Sequence, residues 1–441
     1  MCILGLDVGT TSISAIVISI KTGEALQSIT KKNEFFIPPT IKGERIQDVD
    51  GITKTVLDIA KEITEKYDVK CIGVTGQMHG ILYYDKKGKA VSPLYTWQDE
   101  RALWTLDSGK NATEEINEKT GYTVPSGYGL STHYYNLKKG IVPKDAVGLC
   151  TIGDYIVGAL TGIIPKMHAS NGASLGLYDL KANKFDEIAL KKVGISPKFL
   201  PPVTSEPRIA GIFNGIPVSV AIGDNQASFI GSVSDIENGL LLNVGTGSQV
   251  SATSEYKENL EVCELRPLVG NKYLVVGCAL CGGRAYALLE KFFRAFAKEL
   301  GIEGEQYAVM EKLALSAKDA LSVQTTFSGT RKDPAVKGCI TQIDENNFTP
   351  AQLTLGFIRG IVDELYSFTK DMNKKTLLVG SGNGIKKNAI LSQYAEEKFA
   401  TKMFTPKNNE EASVGAGLFA CVSAGFFSSL SKAGKLIKYC E

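Results

Sequence analysis

Net charge is almost absent from this sequence: 49 Lys and Arg stand against 47 Asp and Glu in 441 residues, a formal +2. Such a balance offers no bulk field for collecting phosphate backbones or anionic lipid, so neither nucleic acid nor a membrane surface is expected as a partner. No stretch reaches the roughly 18 consecutive apolar residues that a spanning helix needs. The opening Met1-Cys-Ile-Leu-Gly-Leu-Asp7 has no basic leader and is interrupted by an acid, so a cytoplasmic location is expected. The nine cysteines are an odd number scattered singly through apolar segments, as free buried thiols are, rather than arranged as a disulfide framework. Histidine is scarce, three in all. His168 is the nearest to Cys278-Ala-Leu-Cys281, which makes two core thiols the better reading of that pair than a structural zinc, a metal that wants four ligands. Gly-Lys at Gly88, Gly109 and Gly434 is never followed by Ser or Thr, which excludes a Walker-type loop.

The sequence is 44% hydrophobic, 22% charged and carries 45 glycines, the composition of a globular protein with many tight turns. Its length predicts two or three domains. Cys2 to Ile20 reads as two apolar strands around a Gly-Thr-Thr turn, and Leu240 to Ala252 repeats the pattern around Gly-Thr-Gly. The two turns lie about half the chain apart, which suggests a duplicated fold in which each half contributes a hairpin to a shared site. Strands are expected at 70–75, 218–222 and 376–379. Helices are expected at 284–300, with Leu288, Leu289, Phe292, Phe293 and Phe296 at helical spacing, at 354–372, from about 388 to 400, and from Ala412. Alternating strands and helices predict an α/β protein. The polar, turn-rich stretch 234–239 is the expected boundary between domains at 1–235 and 236–441.

Glycines let backbone N–H groups turn toward an anion, and threonine hydroxyls add donors, so Gly9-Thr10-Thr11 and Gly245-Thr246-Gly247 are candidate phosphate turns. An acid beside such a turn repels phosphate unless a divalent cation intervenes, which makes Asp7 a candidate magnesium anchor. Asp224 follows a predicted strand and opens a helix, where a carboxylate either accepts a proton from a substrate hydroxyl or merely caps the helix. Gln77-Met78-His79, also after a predicted strand, and Trp97-Gln98-Asp99 with Arg101 offer an aromatic face and hydrogen-bonding groups suited to a polyol. His133 and His168 have no partner spacing and read as structural. Gly415-Ala-Gly417-Leu-Phe-Ala420 fits a dinucleotide fingerprint, the basis of a weaker dehydrogenase reading. The polar 408–413 stands where a strand is required, so small-residue helix packing explains the motif better.

Together these segments resemble the FGGY family of carbohydrate kinases. Asp7-Val-Gly-Thr-Thr11 is similar to its first phosphate motif, Asn243-Val-Gly-Thr-Gly247 to its second, and Val379-Gly-Ser-Gly-Asn-Gly384 with Asn388 and Gln393 to its adenosine motif. Gly223-Asp-Asn-Gln-Ala227 resembles the segment that supplies its catalytic base, and 411–417 its closing helix. Ser92-Pro-Leu-Tyr-Thr-Trp-Gln-Asp99 and Phe327-Ser-Gly-Thr-Arg331 lean toward the sedoheptulokinase branch more than the xylulokinase branch. Met167-His168 departs from the usual Thr-Asp, and His133 from a common Lys. The resemblance implies two duplicated ribonuclease H-like domains of the sugar kinase and actin-type ATPase fold around an interdomain cleft. It also implies ATP with Mg2+, a small-molecule sugar as the other substrate, and a homodimer as an option. It assigns catalysis to Asp224 and Asp7, with Asp7 on the metal. The sugar falls to Gln77, Met78, His79, Trp97, Asp99, Tyr128 and Asn225. The nucleotide falls to Gly9, Thr10, Thr11, Gly245, Thr246, Gly247, Gly380, Gly382, Asn383 and Asn388. A structural or chaperone ATPase of the same superfamily is the alternative from another class; it would share the turns but has no use for the 77–79 and 97–99 cluster.

Overall fold

The computed structural model describes residues 1–164 and 166–440. The chain divides into two compact units: 1–236 with 266–273 and 408–438, and 237–265 with 274–407 and the end of the chain.

The first unit is built on a seven-stranded sheet. Strands β1 (Cys2–Val8) and β2 (Ser12–Ser19) form the expected hairpin, and β3 (Ala25–Lys32) extends it antiparallel. On its other side β1 pairs in parallel with β4 (Val69–Gly76). Central strands covered on both faces read as near-continuous apolar runs, as Cys2–Val8 does. Helix α1 (Val49–Lys66) is capped by Asp48, whose side chain accepts from the N–H groups of Asp50 and Gly51. It buries Val49, Ile52, Val56, Ile59, Ala60 and Ile63, one face at helical spacing. Short helix α2 (Ala169–Leu175) lies farther along the chain.

The strand expected at 218–222 is broken. Past β5 (Ile209–Phe213), the chain forms β6 (Ile216–Ser219) and β7 (Ile222–Gly223), both parallel to β4. Val218 faces Ile72 and Ile222 faces Thr75, so one side advances by an extra residue, a bulge. Val220 meanwhile donates its N–H to the carbonyl of Arg208. The bulge sits immediately before helix α3 (Asp224–Ser232) and aims its first residue.

The second unit repeats the plan in a six-stranded sheet. Strands β8 (Gly239–Val244) and β9 (Ser248–Ser254) form its hairpin; β10 (Glu264–Pro267) and β11 (Tyr273–Ala279) lie beyond β9. On the far side of β8 come parallel β12 (Leu377–Ser381) and β13 (Met403–Phe404). In each unit, then, the leading strand has an antiparallel partner on one side and a parallel one on the other. Helix α4 (Gly283–Glu299) follows β11, α5 (Pro350–Ser367) precedes β12, and α6 (Ala389–Phe399) links β12 to β13. The α4 stripe splits in a way its spacing did not foretell. Leu289 is buried and Phe293 packs on the core, whereas Leu288, Phe292 and Phe296 are exposed.

Helix α7 (Glu411–Ser423) belongs to the first unit despite its late place in the chain. Gly415 and Gly417 serve helix packing, as their polar lead-in implied: β13 ends at Phe404, irregular chain separates it from α7, and both glycines lie inside the helix rather than at the strand-to-helix turn a dinucleotide site requires. Side chains at Gly5, Gly73, Gly231 or Gly415 would collide with the facing backbone of Ser413, Ala416, Glu411 and Ala227 respectively. All nine cysteines are free; Cys339 and Cys440 are exposed, Cys278 is half-buried and six are buried. Among the described residues no cluster of His, Cys, Asp or Glu could hold a metal by three side chains, and no helix is long and apolar enough to cross a membrane.

Gly73→Ala is therefore expected to force α7 off β4, since the obstacle is the main-chain carbonyl of Ala416 and cannot rotate away. Overpacking of this kind costs about 1–3 kcal/mol or more. The onset of thermal unfolding should drop measurably; an unchanged unfolding curve would contradict this packing.

Candidate active site

The turn between β1 and β2 is tied down from one side. The carbonyls of Gly9 and Thr11 accept from the side-chain and backbone N–H of Asn33, and the carbonyl of Thr10 accepts from Gln47 Nε2 at 2.9 Å. In a trans peptide C=O and N–H point opposite ways, so anchoring three successive carbonyls turns the following N–H groups outward together, as an anion cradle needs. The second turn has the same logic. Gly245 and Thr246 offer their carbonyls to the N–H groups of Gly283 and Arg284, which open α4, and Gly247 accepts from Gly245. A 17-residue helix thus starts beside this turn, its N-terminal partial positive charge suited to phosphate. Gly380 and Ser381 end β12. Gly382 has φ of 84°, and a Cβ there would stand 2.6 Å from the carbonyl oxygen of Val244. Asn383 begins a single helical turn, and Asn388 caps α6 by accepting from Leu391 N–H.

Asp7 is the penultimate residue of β1, with Oδ1 sealed from solvent and without a hydrogen-bond partner. Burial, then the neighbouring charges of Asp224 and Glu410, push it up to about 7. Asp224 is the first residue of α3, and the cap position belongs to Gly223. The helix-cap reading of Asp224 is thereby set aside. Burial pushes Asp224 up to about 6, against the pull of backbone N–H groups of Asn225 and Met78 and the charge of Arg266.

Around these carboxylates the first unit gathers the 77–79 and 97–99 residues. Gln77 and Met78 are buried, and Met78 lies against Gly223. His79 has φ of 73°, a left-handed backbone that non-glycine residues adopt at a cost and that clusters at functional sites. Its Nδ1 lies 2.8 Å from the Ser174 carbonyl, an acceptor only, so Nδ1 carries a proton. Its ring stacks on Tyr128 at 4.3 Å. Trp97 leaves 46% of its surface exposed while Nε1 donates to Thr10 Oγ1 at 2.9 Å. That hydroxyl donates onward to Gln77 Oε1 at 3.3 Å, and Gln77 Nε2 donates to Gln47 Oε1 at 2.8 Å. Thr10 thus joins the candidate phosphate turn to the 77–79 and 97–99 residues by its side chain. Asn225 follows Asp224 on α3.

Asp99 and Arg101 play a different part from the one their sequence neighbourhood suggested. Asp99 is fully buried and accepts from the backbone N–H of Arg45 and Arg101 and from Arg101 Nε and Nη2. Four donors saturate a carboxylate. Arg101, packed over the Tyr95 ring at 4.0 Å, also donates to Asn136. The pair braces the segment that carries Trp97. His133 stacks on Phe199 and faces Tyr83, in keeping with a structural role. Sequence reasoning missed Asn33, Gln47 and Glu410, and it placed the start of α4 without connecting it to the second turn. Gln47 sits in a two-residue strand with no pattern around it, and Glu410 is remote in sequence.

Residues 2–231 match the N-terminal domain of the FGGY family of carbohydrate kinases. Mouse sedoheptulokinase is 28% identical, over 90% of this chain and 92% of its own. Among solved structures, xylulose kinase from Lactobacillus acidophilus superposes with a TM-score of 0.84 at 21% identity, covering 100% of this chain and 93% of its own. Plasmodium falciparum glycerol kinase with ADP superposes with a TM-score of 0.79 at 21% identity, covering 99% and 92%.

A carboxyl held at about 7 when folded, against 3.8 ordinarily, binds its proton more tightly in the folded chain. Asp7 therefore makes stability fall as pH rises from about 4 to about 7 and remain low above that. Without ligands, Asp7→Asn should melt higher than the parent at pH 8, by roughly 2–4 °C per kcal/mol recovered, and the difference should vanish near pH 4. Equal melting temperatures at both pH values would refute the buried charge.

Proposed function

Because this chain belongs to the FGGY family of carbohydrate kinases, we propose that it transfers the γ-phosphoryl group of ATP to the terminal primary hydroxyl of a ketose, sedoheptulose first, giving sedoheptulose 7-phosphate. The observation that carries the chemistry is Asp224: a carboxylate raised to about 6 at the head of α3, beside Met78 and the Gln77–His79 segment. At neutral pH such a group is ionised yet basic enough to take a hydroxyl proton.

In phosphoryl transfer the protein chiefly positions reactants and stabilises charge. Asp224 orients the hydroxyl and accepts its proton. Trp97 offers its exposed face to the sugar, with Gln77, Met78, His79, Tyr128 and Asn225 around it, and Asp99 contributes by holding Trp97 in place. The N–H groups of Gly9–Thr11 and of Thr246 and Gly247 hold phosphate oxygens, with Gly245 shaping the second turn by donating to the Gly247 carbonyl, and Gly380, Gly382, Asn383 and Asn388 surround the adenosine. We assign sugar, base and first turn to a domain at 1–235, and second turn and adenosine segment to one at 236–441. Asp7 fits a magnesium ion, since its orphaned oxygen and acidic neighbours are relieved by a divalent cation that keeps most of its water. When bound, that ion neutralises charge building up on the phosphates.

The choice of sedoheptulose is supported by the mouse relative's identity over most of both chains and by the Ser92–Asp99 segment. The second reading, xylulose, rests on the resemblance of Gly76-Gln-Met-His-Gly80 to the xylulokinase branch.

Asp224→Asn should keep nucleotide binding and lose roughly a hundred- to ten-thousand-fold in turnover, the usual worth of a general base. In the parent, kcat/KM should fall as pH drops below about 6, where Asp224 takes up its proton. ADP release measured over a panel of ketoses and polyols should give higher kcat/KM for sedoheptulose than for xylulose. Equal or better efficiency with xylulose would overturn the sugar assignment and leave the kinase.

A further inference from the structure

His168 and Ser170 stand at the start of α2, both buried. Nδ1 of His168 accepts from the backbone N–H of Ser170 at 3.2 Å, and Nε2 lies 3.2 Å from the carbonyl oxygen of Ser205. A carbonyl only accepts, so Nε2 carries the proton and Nδ1 the lone pair. Ser170 Oγ, 2.8 Å from Nδ1, must then donate to it, which leaves the hydroxyl's own lone pairs to receive the N–H of Gly223 at 2.9 Å. The Nδ1 lone pair is shared between the N–H and the nearer hydroxyl of Ser170, and the relay ends on the residue that precedes Asp224.

The neighbouring backbone is held in the same manner. Thr75 Oγ1 donates to the carbonyl of Ile222 at 2.8 Å, and Asn171 Nδ2 donates to the carbonyl of Ala221 at 3.4 Å and to Asp154 Oδ1 at 3.2 Å. Three consecutive residues, 221–223, are thus pinned by buried side chains immediately after the bulge. A two-residue strand has few ladder bonds of its own to set its direction, and Gly223 has no side chain to help.

We propose that His168 is a positioning residue for catalysis: it holds the Ser170 hydroxyl in the orientation that fixes Gly223, and through Gly223 the carboxylate of Asp224. The proposal rests on the reading of Asp224 as the base. Burial pulls His168 down to about 4, so the ring stays neutral and the relay keeps its direction at working pH. A purely packing role is the competing account, since His168 also meets the Phe419 ring edge-on at 5.4 Å.

The test is steady-state kinetics on the full chain. His168→Phe keeps a ring against Phe419 and removes both nitrogens. It should lower kcat by about ten- to a hundredfold, as a misplaced catalytic group does, while KM for ATP stays within about twofold. His168→Asn, whose Oδ1 takes the place of Nδ1, should restore most of kcat. Ser170→Cys, close in volume but a poor acceptor, should show the same split and carries the test if His168→Phe does not fold. Near-parental kcat in His168→Phe and Ser170→Cys overturns the proposal, as does a loss of kcat matched by an equal rise in KM for ATP. Asp224→Asn is measured in parallel: if it alone retains turnover, the base assignment fails; if it is inactive and the His168 and Ser170 variants are not, only the relay fails.

Discussion

The first unit has to keep two like charges close together and partly out of water. Asp7 and Asp224 lie next to the ends of strands that both pair with β4, and each is pushed well above the ordinary carboxylate range. Desolvation and mutual repulsion both work against ionisation there. Such a pair persists only where the surrounding backbone leaves it no room to relax. The close seating of glycines between α7, α3, β1 and β4 supplies that rigidity, because backbone against backbone has no rotamer to give.

The same rigidity serves recognition. Trp97 is fixed at its edge by Thr10, and the turn that carries it is closed by the Asp99 N–H on the Thr96 carbonyl, with Asp99 itself saturated by Arg45 and Arg101. Thr10 itself is part of the glycine-threonine turn between β1 and β2. One hydroxyl therefore stands between the surface suited to a sugar and the backbone suited to phosphate, with Gln77 and Gln47 completing the buried connection. Polar networks of this kind are stable only when every member is satisfied, which makes Gln47 as necessary as the residues it supports.

The hairpins around Gly9 and Gly245 and the alternation of strands and helices were legible because each is written locally, in periodicity and turn chemistry. The bulge at Ser219–Ile222 was not legible. An unbroken apolar run looks the same whether or not its pairing slips by one residue, and the slip depends on a carbonyl at Arg208 and a partner strand more than a hundred residues earlier. Nor was the exposure of Leu288, Phe292 and Phe296, since helical spacing shows that a stripe exists without saying how wide a face the sheet will cover.

Residue types settled what chemistry is available: glycine-rich turns that expose N–H groups, a lone carboxylate beside one of them, and an aromatic with hydrogen-bonding neighbours, all contained in short segments. Tertiary structure decided which of these residues face a ligand and which support them. Asp99 and Asp224 are both carboxylates in promising neighbourhoods, yet four donors consume the first, while two backbone N–H groups and the start of a helix hold the second. His168 and Ser170 are two residues apart in sequence and acquire their bearing on Asp224 only because β7 is brought against α2. Hydrogen bonds between residues 30 to 147 positions apart depend on where the sheet places each element, and that placement follows from burial of the whole core rather than from any one segment of chain.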